Sequence, residues 1–389
     1  MTRLRVGVLY GGRSGEHEVS VASAASVLAN LDRARHEPVP IRIDRDGGWA
    51  IADRPPTSAS AAAAIEQARI EAARPARAAR EVHLVPRPGA DTLIAIDRKA
   101  GAAAESAERD RACVTGLGLD VVFPVLHGPY GEDGTVQGLL ELANVAYVGA
   151  GVLASALGMD KALAKVVFAA SGLPVCDALV IGRRAWDADR EGRLLAALDR
   201  FSLPVFVKPA NLGSSVGISK ARTRDELAAA IDLAAEFDRK ILVEAAVPDA
   251  REIECAVLGN DEPEASVPGE VVPSREFYDY QAKYLDDGST LLIPAPLTRD
   301  QADEVRRLAV AAFRAVDCAG MARVDFLMAR ASGAIWLSEI NTIPGFTTIS
   351  MYPKLWEASG VSYPALIDRL IALALQRHDE KQRLRTSVL

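Results

Sequence analysis

Residues 321–345 read M-A-R-V-D-F-L-M-A-R-A-S-G-A-I-W-L-S-E-I-N-T-I-P-G and say most about how the C-terminal part of the chain folds. The pattern predicts two adjacent strands joined by a tight Ala-Ser-Gly connection. Because successive side chains of a strand point to opposite faces, Arg323 and Asp325 share one face of the first strand. Glu339 and Asn341 likewise share one face of the second. We therefore expect three oxygen ligands and one guanidinium to meet at one spot.

The three oxygen ligands, Asp325, Glu339 and Asn341, indicate a hard divalent cation. Carboxylate and amide oxygens without His or Cys suit Mg²⁺, which usually works beside nucleotide phosphates. A magnesium site on paired strands next to an arginine therefore predicts phosphoryl transfer from ATP.

The composition is that of an ordinary globular protein. Among 389 residues, 49% are hydrophobic and 25% are charged, which fits two or three domains. The 45 basic and 52 acidic side chains give a net charge of -7, which argues against a general nucleic-acid binder. Four scattered cysteines without a C-x-x-C pair argue against disulfides and a thiolate metal site. Without a signal-peptide pattern or a bilayer-spanning apolar run, we expect a cytoplasmic protein with no membrane insertion.

The order of predicted elements indicates an α/β protein. Residues 4–28 read as strand, glycine turn and helix, and residues 121–142 repeat that order. Such units in series predict an open parallel α/β sheet with sites at the carboxyl ends of its strands. We divide the chain into an N-terminal α/β domain (1–150), a central domain (151–244) and a C-terminal domain (245–389).

The pattern inside these domains is also specific. In the central domain it predicts helices over 161–170, 191–200 and 225–237, and strands over 175–181, 204–208 and 240–244. The C-terminal domain is expected to be strand-rich up to Asn341, with helices over 300–316 and 364–377. Residues 58–111, rich in Ala, Arg and Glu, are expected to form a solvated helix and a variable insertion without a functional role.

A second strong signal is V-F-V-K-P-A-N-L-G-S-S-V-G-I, residues 205–218. An apolar strand ends in Lys208 and is followed by a loop of small residues that includes Ser214 and Ser215. Such a loop lets backbone N–H groups approach anionic oxygens, and a lysine at the strand end meets the same phosphates as a point charge. It is not a Walker A loop, since no G-K-[ST] closes it. An ordinary hairpin loop is the alternative, and the carboxylate cluster favours phosphate binding.

Two glycine-rich turns in the N-terminal domain carry polar side chains. The run Y-G-G-R-S-G-E-H-E-V-S, residues 10–20, lacks the G-x-G-x-x-G order of a dinucleotide fingerprint. Its turn presents Glu16 either to a ligand ammonium or to the helix N-terminus as a capping carboxylate, and spacing alone favours capping. The run L-H-G-P-Y-G-E-D-G carries His127 at another strand end, where a structural and a catalytic role are about equally supported.

Two further regions are candidates for the same site. The polar and aromatic residues 275–290 lack a strand or helix period, which is typical of a lid that brings Lys283 and Tyr284 over phosphates. A packed surface loop is the alternative. Glu244 and Glu252 flank the junction of the central and C-terminal domains, either as ligands of an adenine and a ribose or as surface charge.

Together these motifs resemble the ATP-grasp superfamily and, within it, the D-alanine–D-alanine ligases. The resemblance covers nearly the whole chain except residues 58–111. Its most specific pieces occur in the family's order: G-G-R-S-G-E-H-E-V-S, L-H-G-P-Y-G-E-D-G-T-V-Q-G, V-K-P-A-N-L-G-S-S-V-G, F-Y-D-Y-Q-A-K-Y, R-V-D-F and E-I-N-T-I-P-G-F-T-T-I-S-M. It implies an ATP-grasp fold, in which an N-terminal α/β domain precedes two domains that clamp ATP.

The resemblance also implies residue roles. In ATP binding, Glu244 binds the adenine amino group and Glu252 binds the ribose. The phosphates are bound by Lys161, Lys208, Ser214, Ser215 and, when the loop closes, Lys283. Asp325, Glu339 and Asn341 bind two Mg²⁺ ions, which Mn²⁺ can replace. Glu16 binds the ammonium of the first D-alanine, with Ser214, Tyr284 and His127 nearby. Arg323 and the backbone N–H of Gly345 stabilise the oxyanion. Ser350 and the backbone at Met351 bind the carboxylate of the second D-alanine.

The implied reaction is ATP-dependent synthesis of D-alanyl-D-alanine for peptidoglycan, through an acyl phosphate, by a homodimer. Ala245 stands where some relatives carry Lys, so the adenine is held there by backbone alone. D-Alanyl-D-lactate synthesis is the close rival, and Tyr284 favours the dipeptide. A catalytically silent nucleotide-binding scaffold would have lost a metal ligand or a phosphate lysine, and this chain keeps them. An NAD-dependent oxidoreductase is supported only by the glycines after the first strand.

Overall fold

The structure is a computed structural model that describes residues 3–385 apart from 53–54, 59, 61, 65, 67–79, 90–92, 99–111 and 274–289. The chain divides into two compact units. The first unit comprises Met1–Val152, Gly345–Ser350 and Ser362–Leu389, and the second comprises Leu153–Pro344 and Met351–Val361.

The described strands and helices alternate along much of the chain. The strands are β1 Leu4–Gly11, β2 His36–Ile43, β3 Trp49–Ile51, β4 Arg80–Leu84, β5 Leu93–Arg98, β6 Ala112–Leu117, β7 Val121–Pro124, β8 Ala146–Tyr147, β9 Ala178–Gly182, β10 Val205–Pro209, β11 Ser219–Ala221, β12 Lys240–Ala245, β13 Ala250–Gly259, β14 Glu264–Ala265, β15 Gly269–Val272, β16 Thr290–Leu292, β17 Gly320–Ala329 and β18 Ile335–Asn341. The helices are α1 His17–Asn30, α2 Thr135–Ala143, α3 Val152–Met159, α4 Lys161–Ala170, α5 Arg183–Ala188, α6 Arg190–Arg200, α7 Arg224–Phe237, α8 Arg299–Ala315, α9 Met351–Ala358 and α10 Tyr363–Gln382.

The first unit is built on an eight-stranded sheet with the order β6-β5-β4-β3-β2-β1-β7-β8. Strands β2, β1, β7 and β8 run parallel to one another, as the repeated strand–turn–helix pattern predicts. Their apolar runs are buried on both faces, and Val8 and Phe123 are fully enclosed. Because β1 and β7 are parallel neighbours, their carboxyl ends lie at the same edge of the sheet.

The sheet also corrects the prediction for residues 58–111. Instead of only a solvated helix and an insertion, this stretch supplies β4 and β5, which extend the sheet antiparallel. Val82, Leu93 and Ala95 are fully buried in its core. The alternating apolar positions of these short strands were obscured by the Ala- and Arg-rich composition around them.

The second unit contains two antiparallel sheets. The four-stranded sheet has the order β11-β10-β12-β9, and helices α5, α6 and α7 share a core with it that includes Trp186 of α5 and Ile231 of α7. The six-stranded sheet has the path β16-β15-β13-β17-β18, with β14 pairing β13. The backbone N–H of Leu337 in β18 donates to the carbonyl of Pro174, 2.7 Å away, which ties this sheet to the segment leading into β9.

Helix α8 packs on the six-stranded sheet through buried residues such as Leu308 and Phe313. On the same sheet, Gly269 comes so close to Met351 and Leu355 of α9 that an added Cβ would clash with both side chains. No single helix in the described part of the chain is long and apolar enough to cross a membrane, and α9 and α10 meet that test only when taken together across a sharp bend.

Candidate active site

Strands β17 and β18 bring together the residues that the sequence pattern places on one face. In their antiparallel register, Asp325 lies opposite Glu339 and Arg323 lies opposite Asn341. A register shift follows Asp325, so that Phe326 pairs with Leu337. Along β17, the buried residues alternate with half-buried ones, and Arg323 and Asp325 belong to the half-buried set. The paired strands thus present two carboxylates, an amide and a guanidinium from neighbouring positions.

Arg323 is the centre of the contacts within this group. Its Nε and Nη2 atoms donate to the two oxygens of Asp325 at 2.8 and 2.7 Å, in the bidentate geometry that guanidinium favours. Asn341 Nδ2 donates to Asp325 Oδ2 at 2.9 Å. Arg323 Nε also lies 2.9 Å from Glu254 Oε2. Burial acts to lower the pKa of Arg323, but Asp325 and Glu254 outweigh it and hold the pKa well above its ordinary value.

Glu254 is a site residue that sequence reasoning missed. It lies on β13 directly opposite Asp325 and is only 6% exposed. The signal was present in R-E-I-E-C, because alternation puts Glu254 on the same face as Glu252, the predicted ribose ligand. Glu252 is half-buried on that strand.

Lys161 connects the strand pair to the small-residue loop. Its Nζ atom lies 3.2 Å from Glu339 Oε2 and donates to the carbonyl of Leu212 at 2.6 Å. Lys161 is the first residue of α4, and the N-cap side chain of Asp160 accepts from the backbone N–H of Leu163 at 3.1 Å. The helix N-terminus therefore holds Lys161 between a predicted metal ligand and the predicted phosphate loop.

The loop after β10 has unusual backbone angles for its sequence. Ser214 and Ser215 have φ of +50° and +58°, a left-handed conformation that non-glycine residues rarely adopt, and Gly217 has φ of +72°. The backbone N–H of Val216 donates to the carbonyl of Gly213 at 3.2 Å, so the two serines are the central residues of a tight turn. Positive φ at both central residues is common in turns between antiparallel strands, so the backbone angles fit an ordinary hairpin as well as a loop that binds an anion.

Lys208, Lys165 and Glu244 form a buried group that we call the lysine–glutamate triad. Glu244, 2% exposed, accepts from Lys208 Nζ at 2.5 Å through Oε2 and forms an ion pair with Lys165 through Oε1. Burial acts to raise the pKa of Glu244, but Lys208 and Lys165 outweigh it and hold the pKa below its ordinary value. Burial acts to lower the pKa of Lys208, and Glu244 reverses that effect. Glu244 is therefore a buried carboxylate and not surface charge.

In the first unit, Glu16 and His127 stand at the carboxyl ends of β1 and β7. Glu16 occupies the N-cap position of α1, yet its side chain makes no capping hydrogen bond. Instead, a Cβ built on Gly128 would lie 2.7 Å from Glu16 Oε2, so the carboxylate lies against the turn that follows His127. Ser14 Oγ accepts from the Glu16 backbone N–H at 3.2 Å and donates to the His127 carbonyl at 2.7 Å. These two predicted residues are thus close neighbours.

The loop 345–350 in the same unit is held by Ser23, which the sequence analysis did not single out, and by the predicted residue Ser350. Ser23 Oγ, fully buried on α1, accepts from the backbone N–H of Phe346 at 3.1 Å and lies 3.2 Å from His127 Nε2. Ser350 Oγ accepts from the backbone N–H of Thr347 at 2.9 Å. Gly345 faces that hydroxyl so closely that a Cβ would lie 2.7 Å from it.

Lys283, Tyr284 and the lid interval up to residue 289 lie outside the described residues. Met351 is the first residue of α9 in the second unit and is buried. The described residues contain no cluster of three His, Cys, Asp or Glu side chains suited to a metal, and the predicted set instead combines two carboxylates with an amide.

Comparisons with known proteins cover almost the whole chain. The family model described as the D-ala D-ala ligase N-terminus matches residues 5–150, and the model described as the D-ala D-ala ligase C-terminus matches residues 167–372. A D-alanine–D-alanine ligase from Heliobacterium modesticaldum is 49% identical over 100% of this chain and 99% of its own. A D-alanine–D-alanine ligase A from Bradyrhizobium diazoefficiens is 50% identical over 98% of each chain.

Solved structures agree with the sequence comparisons. The D-alanine–D-alanine ligase from Coxiella burnetii is 37% identical, with a TM-score of 0.79 over 98% of this chain and 97% of that one. The VanG D-Ala:D-Ser ligase from Enterococcus faecalis is 32% identical, with a TM-score of 0.78 over 96% of this chain and 100% of that one. These matches confirm the predicted ATP-grasp fold and ligase activity. The chain belongs to the family of D-alanine–D-alanine ligases.

Proposed function

We propose that this ligase joins two D-alanines into D-alanyl-D-alanine for peptidoglycan precursors, converting ATP to ADP and phosphate. The observation that carries the proposal is the pairing of Asp325 with Glu339 across β17 and β18, beside Arg323 and within 3.2 Å of the Lys161 ammonium. Carboxylates, lysine and arginine gathered around one point are what a triphosphate and its cations require.

ATP is bound by residues of the second unit. Lys161 and Lys208 hold the phosphates, together with backbone groups at Ser214 and Ser215, and the family resemblance adds Lys283 to this set. Glu244 accepts a hydrogen bond from the adenine amino group, and Glu252 binds the ribose. The contact of Lys208 with the buried Glu244 and the position of Lys161 between Glu339 and the Leu212 carbonyl support these roles.

Asp325, Glu339 and Asn341 would hold divalent cations, for which we propose two Mg²⁺ ions replaceable by Mn²⁺. Their oxygen donors and their adjacent positions across two paired strands fit a hard cation. Such cations neutralise charge on the β- and γ-phosphates. Asp325 already accepts three hydrogen bonds, which fixes the direction of its carboxylate.

The two D-alanines are recognised by opposite charges. Glu16 binds the ammonium of the first, and the family resemblance implies that His127, Ser214 and Tyr284 also serve this substrate. Ser350 and the backbone at Met351 bind the carboxylate of the second. The close packing of Glu16 against the turn after His127 supports this assignment in the first unit.

The reaction proceeds in two displacements. A carboxylate oxygen of the first D-alanine attacks the γ-phosphorus of ATP, which releases ADP and leaves an acyl phosphate. The amine of the second D-alanine, having lost a proton, then attacks the acyl carbon, and phosphate leaves from the tetrahedral intermediate. Arg323 and the backbone N–H of Gly345 stabilise the oxyanion, and removing one such donor commonly costs about 10²–10³ in rate. The family resemblance gives residues 275–290 the role of excluding water, which would otherwise hydrolyse the acyl phosphate.

Product analysis tests this proposal. The enzyme is given ATP and D-alanine with equal D-lactate or D-serine at several pH values, and the products are separated by mass. We expect D-alanyl-D-alanine to dominate in every mixture, since a tyrosine at position 284 is what dipeptide-forming relatives keep. Dominant depsipeptide at neutral pH would favour the D-lactate rival, and dominant D-alanyl-D-serine would assign the specificity of the VanG relative.

We also propose that the enzyme is a homodimer and works in the cytoplasm, where ATP is made. Family resemblance supports the dimer. Light scattering coupled to size exclusion checks it, and a single species at the 41.4 kDa mass of one chain would overturn it.

A further inference from the structure

One member of the lysine–glutamate triad has no part in the reaction as proposed. Lys165 lies one turn after Lys161 on α4, and residues four apart share a helix face. Its side chain is 8% exposed, less than the 14% of Lys208. Among the described residues, the ion pair that Lys165 forms is with Glu244.

The charge balance of the triad indicates what each lysine is for. Lys165 and Lys208 share the carboxylate of Glu244, and Glu339, the partner of Lys161, also acts on Lys208. Three lysines thus face two carboxylates, and because buried charges are costly unless they are paired, a further anion is expected there. Lys208 is the last but one residue of β10, which leads into the small-residue loop, and it is the more exposed of the two lysines. It is therefore the lysine that turns to the phosphates, and Lys165 is the one that stays.

We propose that Lys165 is a positioning residue for nucleotide recognition, which keeps Glu244 charged and correctly oriented while Lys208 binds phosphate. The inference rests on the proposed role of Glu244 at the adenine. A charged carboxylate only accepts hydrogen bonds, whereas a protonated one also donates. The 6-amino group of adenine donates, and the 6-oxo group of hypoxanthine accepts. Lys165 therefore selects ATP over inosine triphosphate (ITP) by fixing Glu244 as an acceptor.

A neighbouring thiol does not compete for the lysine. Cys176 is buried beside the triad, and burial, with the charge of Glu244, raises its pKa to about 11 against the effects of Lys165 and Lys208. Cys176 is thus a neutral thiol at pH 7. Glu244 remains the anion of the group when ATP is absent.

The test replaces the ammonium with a neutral chain of similar length. For Lys165→Met, steady-state kinetics are measured with ATP and with ITP at saturating D-alanine. We expect the KM for ATP to rise about tenfold and the preference for ATP over ITP to fall about tenfold, the usual loss for one hydrogen bond to a charged group. The kcat with ATP should stay within about threefold, because Lys165 does not meet the reacting atoms.

Lys240→Met is the matched control. Lys240 forms an ion pair with Asp160, the N-cap of α4, at 17% and 9% exposure, so its replacement perturbs the same helix but leaves the ion pair of Lys165 with Glu244 in place. If Lys165 were merely structural, both variants would lose thermal stability and leave the nucleotide preference unchanged. Should Lys165→Met fail to fold, Lys165→Gln keeps a polar contact to Glu244 without the charge, and the same loss of preference is expected.

A double variant tests whether Lys165 affects the nucleotide preference through Glu244. In Glu244→Gln, adding Lys165→Met should change the ATP-to-ITP preference little, since the lysine acts through that carboxylate. A full additional loss would overturn the inference, as would an unchanged preference in Lys165→Met. If the wild type forms dipeptide but does not prefer ATP, the inference fails while the ligase function stands. If no dipeptide forms from ATP and D-alanine, the proposed function itself fails.

Discussion

Changing Glu339 to Gln should separate the chemistry of the strand pair from its stability. The glutamate side chain is 25% exposed, and its ammonium partner Lys161 lies 3.2 Å away. Partly exposed ion pairs contribute about 0–1 kcal/mol, and glutamine keeps the shape, so no cavity forms. For a unit of this size, a loss of about 1 kcal/mol lowers the melting temperature by about 2–4 °C. Glu339→Gln should therefore fold almost as well as the wild type.

The loss of activity in Glu339→Gln should be much larger. Removing a group that merely supports a metal ligand lowers metal affinity or activity about 10–100-fold. Weakening a ligand itself should therefore lower turnover by at least about 100-fold. Turnover is measured as ADP release with D-alanine. Binding of Mn²⁺ in the presence of a non-hydrolysable ATP analogue, followed by electron paramagnetic resonance, should weaken in parallel.

Glu304→Gln is the control for this variant. Glu304 accepts from Arg307 at 2.7 Å on the exposed face of α8, so the same chemical change occurs away from the strand pair. It should leave turnover and Mn²⁺ binding at wild-type levels. Near-normal turnover in Glu339→Gln, or an equal loss in both variants, would show that the metal site has been placed on the wrong residues.

Three further predictions concern stability. The contribution of the Glu244 carboxylate to the free energy of unfolding should be constant above the ordinary pKa of 4.5. It should be lost as the pH falls below that value, because folding lowers the pKa of Glu244. In urea, the gap between wild type and Glu244→Gln should therefore shrink from pH 7 to about pH 3, and a widening gap would contradict this. Ser23→Ala should lower the unfolding free energy by about 1–3 kcal/mol, since it strands a buried N–H, whereas Ser155→Ala removes a buried hydroxyl with no hydrogen-bond partner and should cost less. Equal effects of the two would refute that reasoning. Gly11→Ala should cost about 1–3 kcal/mol or more, because φ is +91° and a Cβ would lie 2.3 Å from a carbonyl oxygen, and an unchanged melting temperature would count against it.

Much of the second unit could be predicted because its patterns are local. The expected helix over 161–170 has the observed bounds of α4, and the expected helices over 191–200 and 225–237 each begin one residue later than α6 and α7. The strand pair was predictable because side-chain alternation fixes which residues share a face. The pairing of Asp325 with Glu339 then depends on register, which the bulge after Asp325 adjusts.

The features that were missed depend on contacts distant in sequence. Glu254 reaches Arg323 only because β13 pairs with β17, and Ser23 reaches the loop at Phe346 across 323 positions. Lys165 shares its helix face with Lys161, but only the fold reveals that a buried carboxylate meets it. The strands within residues 58–111 were not predicted because the Ala- and Arg-rich composition of this stretch indicated a helix, and the short alternation of apolar residues in β4 and β5 was given less importance.

Isotope labelling follows the proposed bond changes atom by atom. D-Alanine with ¹⁸O in both carboxylate oxygens is incubated with ATP and the enzyme, and phosphate, nucleotide and dipeptide are analysed by mass spectrometry. If an acyl phosphate forms, each released phosphate carries one ¹⁸O from the first D-alanine, and the nucleotide product is unlabelled ADP. Unlabelled phosphate accompanying dipeptide, or ¹⁸O found in AMP, would contradict phosphoryl transfer to the carboxylate.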